Sequence, residues 1–468
     1  MVGRLGLIVA VLLVASAPAC ASGGETSGGA SGSDGAPTSA STADGEPGTS
    51  APEGTEPAGD DADDATGDVG CPAPGDRAQP WEDGPSADLV TLSDGGEGPQ
   101  VQAAVYPRPD YEGNPWSQWG QGVVLPDGRF LSAIGDHHGP DGNSFLYEFD
   151  PGEGRLTRIG DVAALAGHRR GDYGYGKVHA QMVPGPCGEV YAATYWGSQR
   201  SLEYGGSYRG DVLLRLDPEG RTTENLGTVL DEHGIPSLAG WPEGGMLYVE
   251  AADPERFEPQ RGAFVVLDMT TGEQVFATDD DEDHRGFRAM AVDADGRVMF
   301  SRTDGRLARW DPAMGQLSEL DVELPGEFLR AATAPAPDGT LYLVTQDPDR
   351  LLALDPGDRL RDLGEMAGYT ASVSLSADGE RLWYVPDAHG GAAEQGTPVI
   401  EVDTATGEQR VLVELAPLAR DELELTLGGT YNVAVSADGT QLYLGMNAAP
   451  LGADDTFGEV VLVVVDLP

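Results

Sequence analysis

The sequence predicts an all-β fold: a seven-bladed β-propeller closed by an N-terminal strand and preceded by a disordered acidic linker. Two recurring features predict the blades. A three-residue turn containing glycine and a hydrophobic stretch ending in Asp alternate along the chain, seven times each, at a period of 40 to 67 residues. Repeats of that length, built from short strands and turns, are typical of propellers. A third feature, an incomplete last repeat, predicts how the ring closes.

The turns lie between apolar runs, and in five of them Asp precedes the glycine. They are Pro126–Gly128, Pro186–Gly188, Pro242–Gly244, Ala294–Gly296, Pro337–Gly339, Ala377–Gly379 and Ala437–Gly439. The hydrophobic stretches end at Asp150, Asp217, Asp268, Asp311, Asp355, Asp403 and Asp466. Asp-Gly between short apolar runs is a strong hairpin signal. Four antiparallel strands per repeat therefore make one blade.

Residues 1–19 have the pattern of an export signal. Arg4 precedes the ten apolar residues Leu5–Val14, and Ala17–Ala19 provides small residues for cleavage. Ten apolar residues are too few to span a bilayer. Cys20 follows directly, and this junction resembles the lipobox of bacterial lipoproteins, although Ala17 stands where that family usually has Leu. The resemblance implies lipidation of Cys20, and ordinary cleavage with full secretion is the alternative.

Residues 20–80 are predicted to be a linker. The stretch 21–79 is rich in Ser, Gly, Ala and Asp and carries twelve acidic residues against one Arg. Such a segment has too little apolar surface to offset the entropy of ordering, and its charges repel one another. We therefore expect residues 81–468 to be held away from a membrane. The expected location is the cell envelope, at the outer membrane or the cell surface.

The last repeat lacks a strand. Strands are predicted near 431–436, 441–446 and 460–466, and the sequence then stops at Pro468. Val101–Tyr106, before the first blade, is a spare strand pattern. We expect it to be the outer strand of blade seven, because an unclosed ring would expose unpaired edges.

The acidic balance restricts the partners. Residues 80–468 contain 66 acidic residues against 26 Arg and Lys, and the whole chain has a formal net charge of −50. This charge argues against nucleic acid and against anionic membrane surfaces. Contact with a membrane is expected only through the lipid anchor.

Cys71 and Cys187 remain once Cys20 is assigned to the lipid. In an oxidising compartment an even pair favours a disulfide bond, and two unpaired thiols are the alternative.

Parts of the last two blades resemble the YVTN or lactonase-like family of seven-bladed propellers. The matching segments are Ser376–Val385, Ile400–Glu408 and Ser436–Leu444. The resemblance implies the fold and not an activity, because the catalytic positions of the lactonases have no match here.

The longer loops between second and third strands, and the crossings between blades, are predicted to lie on one face. His137, His138 and Trp196 fall in such loops of blades one and two. On a strand, Lys177, the only lysine of the chain, shares its side with His179. Four further residues occupy comparable first-strand positions in other blades. They are Trp119, Gln121, Arg330 and Asn432.

This mixed set predicts a ligand site at the rim of the channel, for an extracellular glycan, small molecule or protein. The alternative is a hydrated channel filled by polar side chains. An enzymatic alternative is a uronate polysaccharide lyase, in which His179, Lys177, Tyr175 and His137 neutralise a carboxylate and move protons. No cofactor is predicted, and a divalent metal at the histidine-bearing face is left open.

Overall fold

The computed structural model describes residues 70–72, 75, 77–96, 98–109, 116–138, 142–169, 172–195, 208–253, 262–278, 289–302, 304–326 and 328–468. The predicted signal sequence, most of the predicted linker, Cys20 and Trp196 lie outside these residues.

The glycine turns of the repeat join first and second strands. Gly128 and Gly439 have φ angles of 91° and 74°, which a residue without Cβ adopts at no steric cost. Blade three departs from the predicted turn. Pro242–Gly244 forms a 3₁₀ turn there, and Gly245, one residue later than expected, has the positive φ of 63°.

Four strands precede the first blade. They are β1 (Gln79–Pro80), β2 (Ser86–Asp88), β3 (Val90–Asp94) and β4 (Gln100–Val105).

The first three blades contain the next thirteen strands. Blade one contains β5 (Val123–Val124), β6 (Phe130–Gly135), β7 (Ser144–Asp150) and β8 (Arg155–Asp161). Helix α1 (Val162–Leu165) follows it. Blade two contains β9 (Lys177–Val178), β10 (Val183–Pro184), β11 (Val190–Tyr195), β12 (Val212–Asp217) and β13 (Thr222–Thr228). Blade three contains β14 (Gly234–Trp241), β15 (Met246–Ala252), β16 (Gly262–Asp268) and β17 (Gln274–Ala277).

The remaining blades follow the same order. Blade four contains β18 (Ala291–Val292), β19 (Val298–Ser301), β20 (Arg306–Asp311) and β21 (Gln316–Glu323). Blade five contains β22 (Phe328–Ala332), β23 (Leu341–Gln346), β24 (Arg350–Leu354) and β25 (Leu360–Glu365). Blade six contains β26 (Val373–Leu375), β27 (Arg381–Tyr384), β28 (Pro398–Asp403), β29 (Gln409–Glu414) and, after them, helix α2 (Leu415–Leu423). Blade seven contains β30 (Leu425–Val435), β31 (Gln441–Pro450) and β32 (Glu459–Asp466).

Blade seven is completed from the N-terminal side, as predicted. Strand β4 pairs antiparallel with β32, from Val461 opposite Val105 to Val465 opposite Val101. Strand β3 then pairs with β4 and forms a fifth, outermost strand. The predicted all-β propeller with seven blades and a closing N-terminal strand is confirmed.

The segment before β4 has a role that the sequence did not predict. This N-terminal strap, the described residues from Gly70 to Tyr106, crosses the outer edges of several blades. The Gly70 carbonyl accepts a hydrogen bond from Thr270 Oγ1 of blade three at 2.8 Å. Strand β1 then pairs with β13 of blade two, β2 pairs with β8 of blade one, and β3 and β4 join blade seven. The strap therefore covers edges that would otherwise expose unpaired backbone groups.

Cys71 and Cys187 are joined by a disulfide bond that attaches the strap to the turn at the start of blade two. The described part of the chain holds no helix with the length and apolarity needed to cross a bilayer.

The hydrophobic core lies between blades. Clusters of buried apolar side chains fill each interface between neighbouring blades, because every blade has two apolar faces. At the closing interface of blades seven and one, for example, Tyr106 and Tyr443 pack with Phe130 and Phe149.

Candidate functional site

Trp119 is the centre of an aromatic cluster at one end of the channel. Its side chain is 5% exposed and precedes β5 of blade one. The indole ring lies 4.7 Å from the ring of His137 and 5.1 Å from that of Tyr431. The ring of Phe457 stacks on it at 5.5 Å and an interplanar angle of 9°, and His389 lies 5.5 Å away. Residues from blades one, six and seven thus meet at one point, which we call the Trp119 cluster.

Lys177 adds a positive charge to this cluster. It is 7% exposed, and Nζ lies 4.2 Å from the centre of the Trp119 ring and 5.6 Å from that of Tyr195. Cation–π attraction to two rings favours the charged form of the lysine. Nζ is also 3.3 Å from His137 Nε2. An ammonium group only donates, so this contact requires an unprotonated Nε2 on His137.

His179 is buried two residues further along the chain. Its Nδ1 lies 2.8 Å from the carbonyl oxygen of Pro236 in blade three. A carbonyl oxygen only accepts, so Nδ1 carries the proton. The imidazole ring is 4.8 Å from Tyr195, the same ring that contacts Lys177. His137 and Lys177 are therefore in direct contact, and Tyr195 lies between Lys177 and His179.

A cavity lies beside the Trp119 cluster on the axis of the ring. Its enclosed space is about 20 Å³, room for about one ordered water molecule, and the cavity is open to solvent. Residues from the first strands of six blades line it, which places it in the central channel. They are Trp119, Gln121, His179, Gln181, Ala289, Met290, Ala331, Ala332, Ala371 and Tyr431.

The two sides of this channel cavity differ in chemistry. Blades one and two contribute the indole of Trp119, the imidazole of His179 and the amide of Gln181. Blades four, five and six contribute mostly alanine, for example Ala289 and Ala332. The cavity is open at this point because blades four, five and six have alanine where blades one, two and seven have large side chains. Such a cavity can hold a ligand with a polar edge and an apolar face.

Gln121 lines the cavity and also ties blades together. Its Nε2 donates to the Val433 carbonyl at 3.2 Å, and its Oε1 accepts from Ser372 Oγ at 3.1 Å. Gln181 occupies the equivalent place in blade two, and its amide makes no hydrogen bond within the described residues.

Arg330, from β22 of blade five, lies behind the alanine side. It is 1% exposed, and its Nε donates to the Tyr369 hydroxyl at 2.5 Å. The guanidinium carbon lies 4.9 Å from the centre of the Tyr369 ring and 5.8 Å from that of Tyr431. Arg330 therefore lies beside the cavity without lining it, on the side opposite Lys177 in blade order.

Asp349 lies near Arg330, in the loop between β23 and β24. Partial burial, together with repulsion from Asp347 and Asp387, raises the pKa of Asp349 to about 6, and attraction to Arg330 acts in the opposite direction. Its Oδ1 is buried without a hydrogen-bond partner among the described residues. No pattern in the sequence indicated a role for Asp349, because the residues around it come from three other elements of the fold.

Three predicted residues have other surroundings. Asn432 is fully buried, and its Oδ1 accepts from the Gly122 backbone N–H at 3.0 Å, so it joins blades seven and one instead of facing the channel. Tyr175 packs with the core between blades one and two, and burial raises its pKa to about 12, which makes it a poor base. His138 is exposed, whereas its neighbour His137 is half-buried. The backbone N–H of His138 donates a hydrogen bond to Asp136 Oδ1. Trp196 lies outside the described residues.

Two aromatic residues near the site, Tyr369 and Phe457, were missed from sequence. They lie in a crossing and in a loop between second and third strands, on the face that was predicted to carry function, where the sequence also placed His389. Their aromatic character was the available signal. Within the described residues, no three His, Cys, Asp or Glu side chains are grouped as metal ligands.

Comparisons with known proteins support the fold alone. No family model and no curated protein matches the sequence. The WD40 repeats of RRP9 are 12% identical with a TM-score of 0.51, covering 81% of this chain and 100% of that one. An oligogalacturonate lyase in complex with manganese is 14% identical with a TM-score of 0.50, covering 82% and 98%. Virginiamycin B lyase from Staphylococcus aureus is 10% identical with a TM-score of 0.49, covering 79% and 100%.

These identities are too low to transfer an activity. The likeness to the YVTN family therefore stays a prediction beyond the shared propeller fold.

Proposed function

We propose that this protein is an exported, lipid-anchored propeller that binds an extracellular glycan or small molecule in the channel cavity. The observation that supports binding is the asymmetric lining, with Trp119, His179 and Gln181 on one side and alanines on the other. A channel that only needed filling would gain more from large side chains on both sides. The lipid on Cys20 and the acidic linker would place the site outside the membrane.

The size of the cavity limits the ligand. The enclosed space of the channel cavity is about 20 Å³, far below the roughly 300–1,000 Å³ of pockets that enclose a small molecule. We infer that it takes one polar edge or substituent of a ligand whose remainder lies in the open mouth of the channel, and not a protein surface. The Trp119 indole and the Gln181 amide suit a ring with hydroxyl groups.

Ligand binding to the full chain tests this proposal. Neutral and acidic mono- and oligosaccharides would be screened by thermal shift, and hits measured by calorimetry. Ala332→Leu fills the cavity, and Ala405→Leu, at an exposed turn of blade six, is the matched control. We expect the first variant to lose binding and the second to keep it. Equal binding by both variants would place the ligand elsewhere.

A second candidate function is a lyase acting on a uronate-containing glycan. The convergence of Lys177 and His137 with Tyr195 and His179 favours it, because a cation next to a general base suits proton abstraction beside a carboxylate. His179→Ala separates the two functions. Binding alone predicts weaker affinity in that variant, whereas a lyase predicts retained affinity and loss of the unsaturated product.

A further inference from the structure

Arg330 is a buried charge without a counterion. It is 1% exposed, and within the described residues it makes no ion pair. Most other described arginines that are partly buried do pair, for example Arg215 with Glu224 at 2.6 Å, and Arg158 is an exception. In a chain with such an excess of carboxylates, an unpaired buried arginine calls for a physical reason.

The hydrogen bonds of Arg330 are also incomplete. Its Nε donates to Tyr369, but Nη1 is buried with no partner among the described residues. Asp349 is close enough to feel the charge, yet Asp349 Oδ1 is itself buried without a hydrogen-bond partner. A structural pair would join these two groups, since a buried guanidinium left unsatisfied destabilises the fold. The geometry is that of a binding group awaiting an acceptor from outside the protein.

The position of Arg330 connects it to the channel cavity. The next two residues of β22, Ala331 and Ala332, line the cavity, and so does Tyr431, whose ring lies 5.8 Å from the guanidinium. The Tyr431 ring in turn contacts Trp119, over which Lys177 lies. Two cations therefore flank one pair of aromatic rings.

We propose that the ligand of the channel cavity carries a carboxylate, and that Arg330 binds this group through its unoccupied N–H donors. This inference rests on the proposed function and adds the chemical class of the ligand. A planar guanidinium that packs on aromatic rings, with Nη1 without a partner among the described residues, matches the oxygens of a carboxylate. Lys177 supplies further attraction and offsets the negative charge of the chain near the site.

Asp349 makes this recognition sensitive to pH. The charged groups that act on it are Arg330 of β22, Asp347 of its own loop, Glu365 of β25 and Asp387 of blade six. When Asp349 is ionised it repels a carboxylate at Arg330, and when it is protonated it does not. Affinity for an acidic ligand is therefore higher at pH 5 than at pH 7, as long as the ligand itself stays ionised.

Matched acidic and neutral probes test the inference on the full chain. The probes are galacturonate against galactose, glucuronate against glucose, and oligogalacturonate against its methyl ester, each measured by calorimetry at pH 5 and pH 7. A bidentate charged contact predicts that the acid binds about ten- to a hundred-fold more tightly than its neutral partner. We expect Arg330→Gln to remove most of this preference, with only the attraction of Lys177 left, and to leave binding of the neutral probe. Arg410→Gln, an exposed arginine of blade six, is the control and keeps the preference.

The outcomes separate the two proposals. Equal affinity of acidic and neutral probes for the wild-type protein overturns the carboxylate inference and leaves the proposed function intact. Binding of no probe, or binding that Ala332→Leu does not change, overturns the proposed function and with it the inference. If Arg330→Gln does not fold, Asp349→Asn decides: it must strengthen binding of the acidic probe at pH 7 and remove the pH dependence, and an unchanged profile overturns the inference.

Discussion

Removal of the closing strand β4 is the most demanding test of this fold. Strand β4 pairs with five residues of β32 and is the only link that completes blade seven among the described residues. We compare chains that begin at Pro80, Leu89 and Gly113, all carrying Cys187→Ser so that no free thiol is exposed. The first keeps β2, β3 and β4 and loses only Gln79 of β1, the second lacks β1 and β2, and the third lacks β3 and β4 as well.

The expected loss follows from what β4 buries. Val101, Ala103 and Ala104 are at most 2% exposed, as is Tyr106 directly after the strand. Burial of one large apolar side chain contributes about 1.5–3 kcal/mol and of a methyl group somewhat less than 1, so these four contribute about 5–8 kcal/mol. The whole free energy of unfolding of a domain is about 5–15 kcal/mol. The chain from Gly113 should therefore be close to unfolded.

The exposed edge adds a second effect. Without β4, the strand Glu459–Asp466, which is almost entirely valine and leucine, becomes an open edge. Such an edge pairs with other chains. Strand β2, by contrast, is three residues long with two of them exposed, so its loss should cost about 1–2 kcal/mol.

Urea unfolding followed by tryptophan fluorescence, with size-exclusion chromatography for aggregation, measures both effects. We expect the chains from Pro80 and Leu89 to unfold at similar midpoints and the chain from Gly113 to aggregate or to lack a transition. A chain from Gly113 as stable and monomeric as the other two would refute ring closure by β4.

Three further predictions concern single positions. Asp349→Asn should stabilise the protein above pH 6: the rise in pKa from 3.8 to about 6 corresponds to about 3 kcal/mol, which partial exposure reduces to about 1–2 kcal/mol. The folded protein disfavours the ionised carboxylate, so the wild type loses stability as pH rises through 6. Below pH 3.8 the wild type and the variant should be equally stable. A difference in stability between them that grows toward low pH contradicts this. Replacement of Cys71 and Cys187 by Ser should lower stability by at most about 4–5 kcal/mol, because the bridge closes a loop of 116 residues, and should make thermal unfolding insensitive to reductant; a wild-type midpoint that reductant does not shift speaks against the bridge. Asn432→Ala should cost about 1–3 kcal/mol by leaving the Gly122 N–H without an acceptor and should leave affinity for any ligand of the channel cavity unchanged, which calorimetry checks.

The outer strands of the strap show where local pattern stops being informative. Strands β1 and β2 are two and three residues long and mostly exposed, so no alternation of apolar residues marks them. They pair because the outer strands of blades two and one lie next to them in the folded protein. The local sequence carries no information about that proximity. Strand β4 differs, because Val101 and Ala103 alternate with polar residues and a strand was missing elsewhere in the repeat.

The same division holds for the site. Lys177 and His179 were predicted to share a side from their spacing on one strand, and Tyr195 contacts both. The same reasoning predicted that Asn432 faces the channel, and this was wrong. A register shift between Thr430 and Val433 in β30 breaks the alternation of side chains. Tyr175 failed because β9 begins only at Lys177, so strand periodicity does not extend to it.

The sequence by itself determined the blades, their number and the strand that closes the ring, because turns and alternating strands are local and repeat with one period. The tertiary structure alone decided which side chains meet at the axis. The ring of Tyr431 contacts both Trp119 and Arg330. Tyr431 follows Trp119 by 312 residues (431 minus 119), so these contacts form only when the ring is complete. Among the described residues, the same closure leaves the Arg330 guanidinium buried without a carboxylate partner, and that charge is the feature from which the ligand class is proposed.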